Sequence, residues 1–272
     1  MSFNNNLGKP HLTAIGSGKG GTGKTLIAVS LAHALAYEGE RVLLCDADFE
    51  LSNTSVHLGL DDCGDLPGFL ANECRLEEAI APVLGGAGIH GGFDIIAAPS
   101  GCGTLANSGE IGAQQLLGKL KAAKNYDRVL LDLGAGVDAG VLRFAASSDD
   151  ALVVLTPDPA SLTDAYAFVK LLQQMTRNRV PQILVNMAVN DSEARRTADA
   201  LIATCKNFLN STPDYLGAIP HDPNALDAVR KQAALLTLHP QSASARAVTA
   251  IAQRLHNRLR PGSAPLRLAS AR

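Results

Sequence analysis

Gly16-Ser17-Gly18-Lys19-Gly20-Gly21-Thr22-Gly23-Lys24-Thr25 decides the reading of this chain. Leu12 to Ile15 before it is a short apolar run that predicts a strand. Leu26 to Tyr37 after it predicts a helix. Strand, glycine-rich loop and helix is the context a phosphate loop requires, and Gly18, Gly23, Lys24 and Thr25 complete the G-x-x-x-x-G-K-[ST] pattern. Glycines let successive N–H groups curl around an anion, and the helix N-terminus adds its positive dipole end. Gly18, Lys19, Gly20, Gly21, Thr22, Gly23, Lys24 and Thr25 are therefore the candidate nucleotide-binding residues. Lys24 reaches the β- and γ-phosphates in this reading, and the Thr25 hydroxyl binds Mg²⁺. An ordinary phosphate loop has no need of the second lysine, Lys19.

Outward from the loop, apolar runs alternate with helical spacings. Arg41 to Cys45 predicts a strand buried on both faces, ending in Asp46-Ala47-Asp48. Those aspartates then stand on the ligand side of an open sheet; capping the next element is the alternative. Phe93 to Gly101 predicts a strand and its exit turn, and Glu110 to Lys124 a helix. Val129 to Leu131 leads to Asp132 and a glycine-rich turn, a Walker B pattern. The alternative for Asp132 is a cap on a helix starting near Asp138. Ala151 to Thr156 predicts another strand, followed by a helix that Ser161 or Thr163 could cap. Two further strands end at Asn186 and at the turn Pro220-His221-Asp222-Pro223. The expected fold is a single-domain α/β P-loop NTPase, a mainly parallel sheet flanked by helices on both faces. The domain spans 11–260, with a flexible N-terminus over 1–10 and a basic tail over 261–272.

Composition narrows the class. The chain has 272 residues, 46% hydrophobic and 18% charged, so a large core is expected and disorder is not. A formal net charge of −2 gives no global field for nucleic acid. Five scattered cysteines without a C-x-x-C pair argue for reduced thiols in a cytosol and against a zinc site. Met1 to Pro10 is polar and is not a signal peptide, and no run is long enough to span a membrane.

The motif K-G-G-T-G-K-T resembles the deviant Walker A of the MinD/ParA family. In that family the early lysine, here Lys19, crosses a dimer interface to the partner's nucleotide. D-A-D-F-E-L-S-N-T-S-V-H-L-G-L, D-L-G-A-G and T-P-D-P-A-S-L-T-D-A-Y resemble the flagellar FlhG (FleN) branch. The resemblance implies ATP and Mg²⁺ as cofactors and slow ATP hydrolysis that depends on dimerisation and partners. It implies catalytic roles for Lys19, Lys24 and Asp48, the last orienting the attacking water. It places Thr25 on Mg²⁺ with Asp46 and Asp132 in the outer shell. It sets Asn186, Pro220 and Asp222 beside the adenine; plain turn residues are the alternative for Asn186 and Asp222.

It further implies a homodimer acting on flagellar partners, an FlhF-like GTPase or switch or transcription factors. A ParA-type ATPase positioning cargo on DNA is the alternative function. The D-Q-A motif through which FlhG proteins act on FlhF is not matched before the first strand. The expected location is the cytoplasm, with a peripheral place at the inner face of the membrane or the cell pole. After Asp227 there is no acid. Ala247, Val248, Ile251, Ala252, Leu255 and Leu259 share a helical face beside several arginines. That element is a last core helix with a solvated tail, or a basic amphipathic helix making weak contact with anionic lipid. His33, His57 and His90 read as helix-surface or loop residues.

Overall fold

The computed structural model describes residues 8–49, 52–61, 63–98, 109–176 and 179–259. The apolar runs become strands. They are β1 (His11–Ser17), β2 (Val42–Ala47), β3 (Ala81–Val83), β4 (Phe93–Ile96), β5 (Arg128–Ala135), β6 (Asp150–Leu155), β7 (Gln182–Ala188) and β8 (Asp214–Pro220). They form one sheet in the order β3-β4-β2-β5-β1-β6-β7-β8. All neighbours are parallel except β3 against β4, where the edge closes. β2 is buried at every position, as a parallel strand covered on both sides must be.

The helices are α1 (Lys24–Tyr37), α2 (Thr54–Leu58), α3 (Leu66–Ala71), α4 (Leu76–Ala79), α5 (Gly109–Lys121), α6 (Ala139–Ser147), α7 (Pro159–Thr176), α8 (Asp191–Leu209), α9 (Pro223–Arg230), α10 (Leu235–Leu238) and α11 (Ala243–Arg258). The buried apolar residues divide into two cores, one on each face of the sheet. α1, α10 and α11 pack on one face, and α5, α6, α7 and α8 on the other. α1 is apolar nearly all round and buried along most of its length, so it serves as a central helix with little surface.

α11 corrects one alternative. Ser242 caps it by accepting from Ala245 N at 3.1 Å, and Val248, Ile251, Ala252 and Leu255 are buried in the core shared with α1. Burying each large side chain there contributes roughly 1.5–3 kcal/mol, so this face belongs to the core and is not available to lipid. Its arginines also have internal partners: Arg254 donates to Leu216 O, and Arg258 pairs with Asp214. Residues 260–272, the rest of the basic stretch, lie outside the described residues, as do Pro99 to Gly101 and Glu50-Leu51.

Two smaller expectations also change. His33 is 1% exposed, packed against the rings of Tyr37 and Phe93, because α1 has no solvent face at that position. α7 is capped by neither Ser161 nor Thr163. Asp158 accepts from Ser161 N at 2.9 Å, and Pro159 takes the first helical position where its missing N–H costs nothing.

Candidate functional site

The loop between β1 and α1 opens at the carboxyl ends of the central strands, where ligands bind in open α/β sheets. Two of its glycines, Gly18 and Gly23, are dictated by space. A Cβ on Gly18 would sit 2.2 Å from the Asp164 carbonyl oxygen. Gly23 has φ +86°, and its Cβ would lie 2.5 Å from the Asn186 amide nitrogen. Ser17 Oγ donates to Lys19 O at 2.6 Å and Gly136 N donates to Ser17 O at 2.9 Å, which ties the loop to the end of β5.

Lys24 is buried at 9% exposure. Burial lowers its pKa, while the charges of Asp132 and Asp48 pull the other way. Asp132 lies within β5, three residues before its end, and is not a helix cap; Asp138 takes that role for α6. In-register pairing sets Asp46 of β2 beside Asp132 of β5. Burial first, then the Asp46 charge, push the Asp132 pKa up to about 8, against the Thr25 hydrogen bond and the Lys24 charge. Asp132 Oδ1 has no hydrogen-bond partner among the described residues. A buried carboxyl with a spare oxygen beside Thr25, short of positive charge, fits a divalent cation. No three His, Cys, Asp or Glu side chains among the described residues cluster as a metal cage. A cation here would lean on phosphate oxygens, as Mg²⁺ commonly does.

Asp46 is already engaged. Its Oδ2 accepts from Ser52 Oγ at 2.9 Å, Asn53 N at 3.0 Å, Thr54 N at 3.0 Å and Thr54 Oγ1 at 2.9 Å. Its Oδ1 accepts from Asp48 N at 3.1 Å. This carboxylate holds the segment leading into α2. Asp48 follows on the same turn, with its carboxylate against Gly134, where an added Cβ would meet Oδ1 at 3.5 Å.

Lys19, at the outer bend of the loop, donates to Asp158 Oδ1 at 2.8 Å. That hydrogen bond, with those from Thr156 and Ser161, holds the Asp158 carboxyl well below the usual carboxylate range. Sequence reasoning missed Asp158. Its signal was an aspartate directly before Pro159, the pattern of a capped helix start.

A cavity of about 270 Å³ opens beside the loop. Gly23, Asn186, Met187, Pro220 and Asp222 line it together with His57. Asn186 Nδ2 donates to Thr22 O at 2.8 Å, bracing the loop. The Asp222 carboxylate is committed elsewhere: Oδ1 accepts from Asn224 and Oδ2 from the Ser244 N and Oγ, each at 2.9 to 3.0 Å. Burial works against its ionisation, yet those bonds hold its pKa at about 2. Asp222 therefore lines the cavity as a strut between α9 and α11. Met187, half-exposed at φ +60°, was not anticipated; nothing in the local sequence marks it.

Residues 13–235 match the CobQ/CobB/MinD/ParA nucleotide binding domain. The chain belongs to the MinD/ParA family of nucleotide-binding ATPases. Within that family it is 36% identical to the antiactivator FleN of Pseudomonas aeruginosa over 249 residues, 89% of this chain and 85% of that protein. It is 32% identical to the flagellum site-determining protein YlxH of Helicobacter pylori, over 96% of this chain and 87% of that one. The fold is that of septum site-determining protein MinD from Pyrococcus horikoshii, a structure with Mg-ADP. The TM-score is 0.74 at 24% identity, covering 90% of this chain and 96% of that one. No helix among the described residues is long and apolar enough to cross a membrane.

Proposed function

We propose that this ATPase is an ATP-gated dimerising switch that regulates flagellar number or placement through protein partners. The observation that carries it is the pairing of a complete phosphate loop with a surplus lysine, Lys19, whose contact is a breakable surface ion pair. Similarity to FleN and YlxH over most of the chain supports the flagellar setting. It also weighs against the DNA-positioning alternative, as do a net charge of −2 and the internal partners of Arg254 and Arg258.

Phosphoryl transfer to water needs positioning and charge neutralisation more than covalent chemistry. The loop amides and Lys24 hold the phosphates. Thr25, with Asp132 and Asp46 behind it, would hold Mg²⁺, which would supply charge neutralisation at the phosphates. Asp48 orients the attacking water from the turn after β2. The Asn186 amide is oriented by its bond to Thr22 O, which leaves its oxygen to accept from the adenine amine. Lys19 leaves Asp158 and reaches the partner's nucleotide across the dimer, much as an arginine finger acts in trans. Contact with anionic lipid would rest on residues 260–272. The partners are proteins of the flagellar machinery, among them a GTPase or a transcriptional activator.

Light scattering tests the reading, with ATP under conditions that block hydrolysis. The parent chain dimerises with ATP and not with ADP. Lys19→Ala binds ATP and stays monomeric. A parent that stays monomeric with ATP overturns the dimer reading.

A further inference from the structure

The cavity beside the loop has one wall that a phosphate loop does not explain. Gly23 and Ser30 line it from the loop and α1, Asn186 and Pro220 from the strand ends, and His57 from α2. Ser30 is 1% exposed, and its Oγ has no hydrogen-bond partner among the described residues. His57 Nδ1 is buried and equally unpartnered there. An unpaired buried polar atom costs about 1–3 kcal/mol, and the rest of the lining is largely apolar, with Leu26, Ile27, Leu235 and Val248. Both residues line the cavity, and polar side chains set among apolar ones suit a ligand with polar edges and apolar faces. Burial lowers the His57 pKa against the pull of Asp46, so the ring is neutral at neutral pH and offers one donor and one acceptor.

α2 is the short helix that carries His57, and it is held at both ends. Its start hangs on Asp46 through Ser52, Asn53 and Thr54. Near its end Gln232 Nε2 donates to Val56 O at 3.1 Å. His57 and Thr54 are one helical turn apart, so they move together.

We infer that His57 is a positioning residue which hydrogen-bonds the nucleoside part of a nucleotide in this cavity, so that a filled base pocket holds Ser52 to Thr54 on Asp46. This rests on the cavity being the nucleotide site proposed above. The loop and Lys24 read phosphates, which every nucleoside triphosphate shares. His57 reports that a nucleoside is attached, and reports it to the segment beside Asp46 and Asp48.

The test is calorimetric titration of the full chain, His57→Leu and His57→Gln with ATP, 2′-deoxy-ATP and inorganic tripolyphosphate. Leucine keeps the apolar packing and glutamine restores a donor. Losing one hydrogen bond weakens ATP binding to His57→Leu about tenfold, while His57→Gln stays within about threefold of the parent. Tripolyphosphate binds all three alike. Hydrogen exchange at the Asn53 and Thr54 amides supplies a readout that packing alone would not move. ATP protects them in the parent and tripolyphosphate does not; neither protects them in His57→Leu. If His57→Leu costs nothing with 2′-deoxy-ATP, the partner atom is the 2′-hydroxyl; an equal loss with both nucleotides assigns it elsewhere on the nucleoside. The inference is overturned if His57→Leu binds ATP as the parent does, or loses tripolyphosphate to the same degree. If the parent itself binds no ATP, the nucleotide reading falls and carries this inference with it.

Discussion

At the scale of single residues, neighbouring groups at the loop carry separable tasks. Lys24 is buried beside Asp132 and Asp48, so Lys24→Ala removes the charge proposed to face the phosphates and takes a positive charge away from two acidic side chains. ATP binding in a fluorescent-nucleotide titration should be abolished; unchanged affinity contradicts the site. Asp48→Ala should bind ATP and lose turnover, since the role proposed for Asp48 is water positioning and not phosphate contact. It should then accumulate as the ATP-bound dimer, and turnover at the parent rate would exclude Asp48 from that task. The Lys19 and Asp158 side chains are 33% and 42% exposed, and such an ion pair is worth at most about 1 kcal/mol. Asp158→Asn should therefore release Lys19 and lower the ATP concentration for dimerisation by about fivefold or less. Dimerisation that becomes weaker instead would show that Asp158 helps the dimer.

At the scale of elements, α11 shows how the same pattern serves two ends. Amphipathic spacing with flanking arginines describes both a core helix and a lipid-binding one, because each needs a single apolar face. Packing on α1 and β8 decides for the core. Leu255 is 1% exposed, so Leu255→Ala should cost about 2–5 kcal/mol in urea denaturation. A helix that served only a membrane would lose almost nothing in solution. α2 differs in kind: five residues long, it has no stability of its own and takes its place from Asp46 and Gln232.

At the scale of the whole molecule, one buried network ties the amino ends of the central strands to the last helix. Arg128 is fully buried; its Nε donates to Glu40 Oε2 at 2.7 Å, its Nη1 to Thr13 Oγ1 at 3.0 Å and its Nη2 to Leu255 O at 3.2 Å. His256 Nδ1 lies 2.8 Å from Glu40 Oε1. Burial would raise the Glu40 pKa, but the His256 hydrogen bond and the Arg128 charge outweigh it and leave it lowered. Removing one partner strands the other, so Glu40→Ala should destabilise the fold by about 3–5 kcal/mol. His33 sets a pH response. Burial lowers its pKa to about 4 from 6.5, with both ring nitrogens unpartnered among the described residues. Above 6.5 the ring is neutral in both states and its contribution is complete. As pH falls from 6.5 to 4 the unfolded chain takes up the proton first, and stability drops by up to about 3 kcal/mol. His33→Leu should flatten that part of the stability curve relative to the parent, measured by denaturation at each pH.

The phosphate loop, the strand-helix alternation and the parallel sheet were legible because each rests on local rules. A glycine spacing, a period and a run of apolar residues need no distant partner to be read. What lay beyond the sequence was every choice made by residues far apart in the chain. Asp46 and Asp132, 86 positions apart, meet because two strands pair in register, and burial together with that neighbouring charge pushes Asp132 toward protonation. Lys19 finds Asp158, Asn186 finds Thr22, and Asp222 is drawn to Ser244. His33 looked like a surface histidine, since nothing local tells a helix with one buried face from a helix buried all round. Local steric and hydrophobic rules determined the loop and the sheet; packing alone decided which side chains remained to meet a ligand.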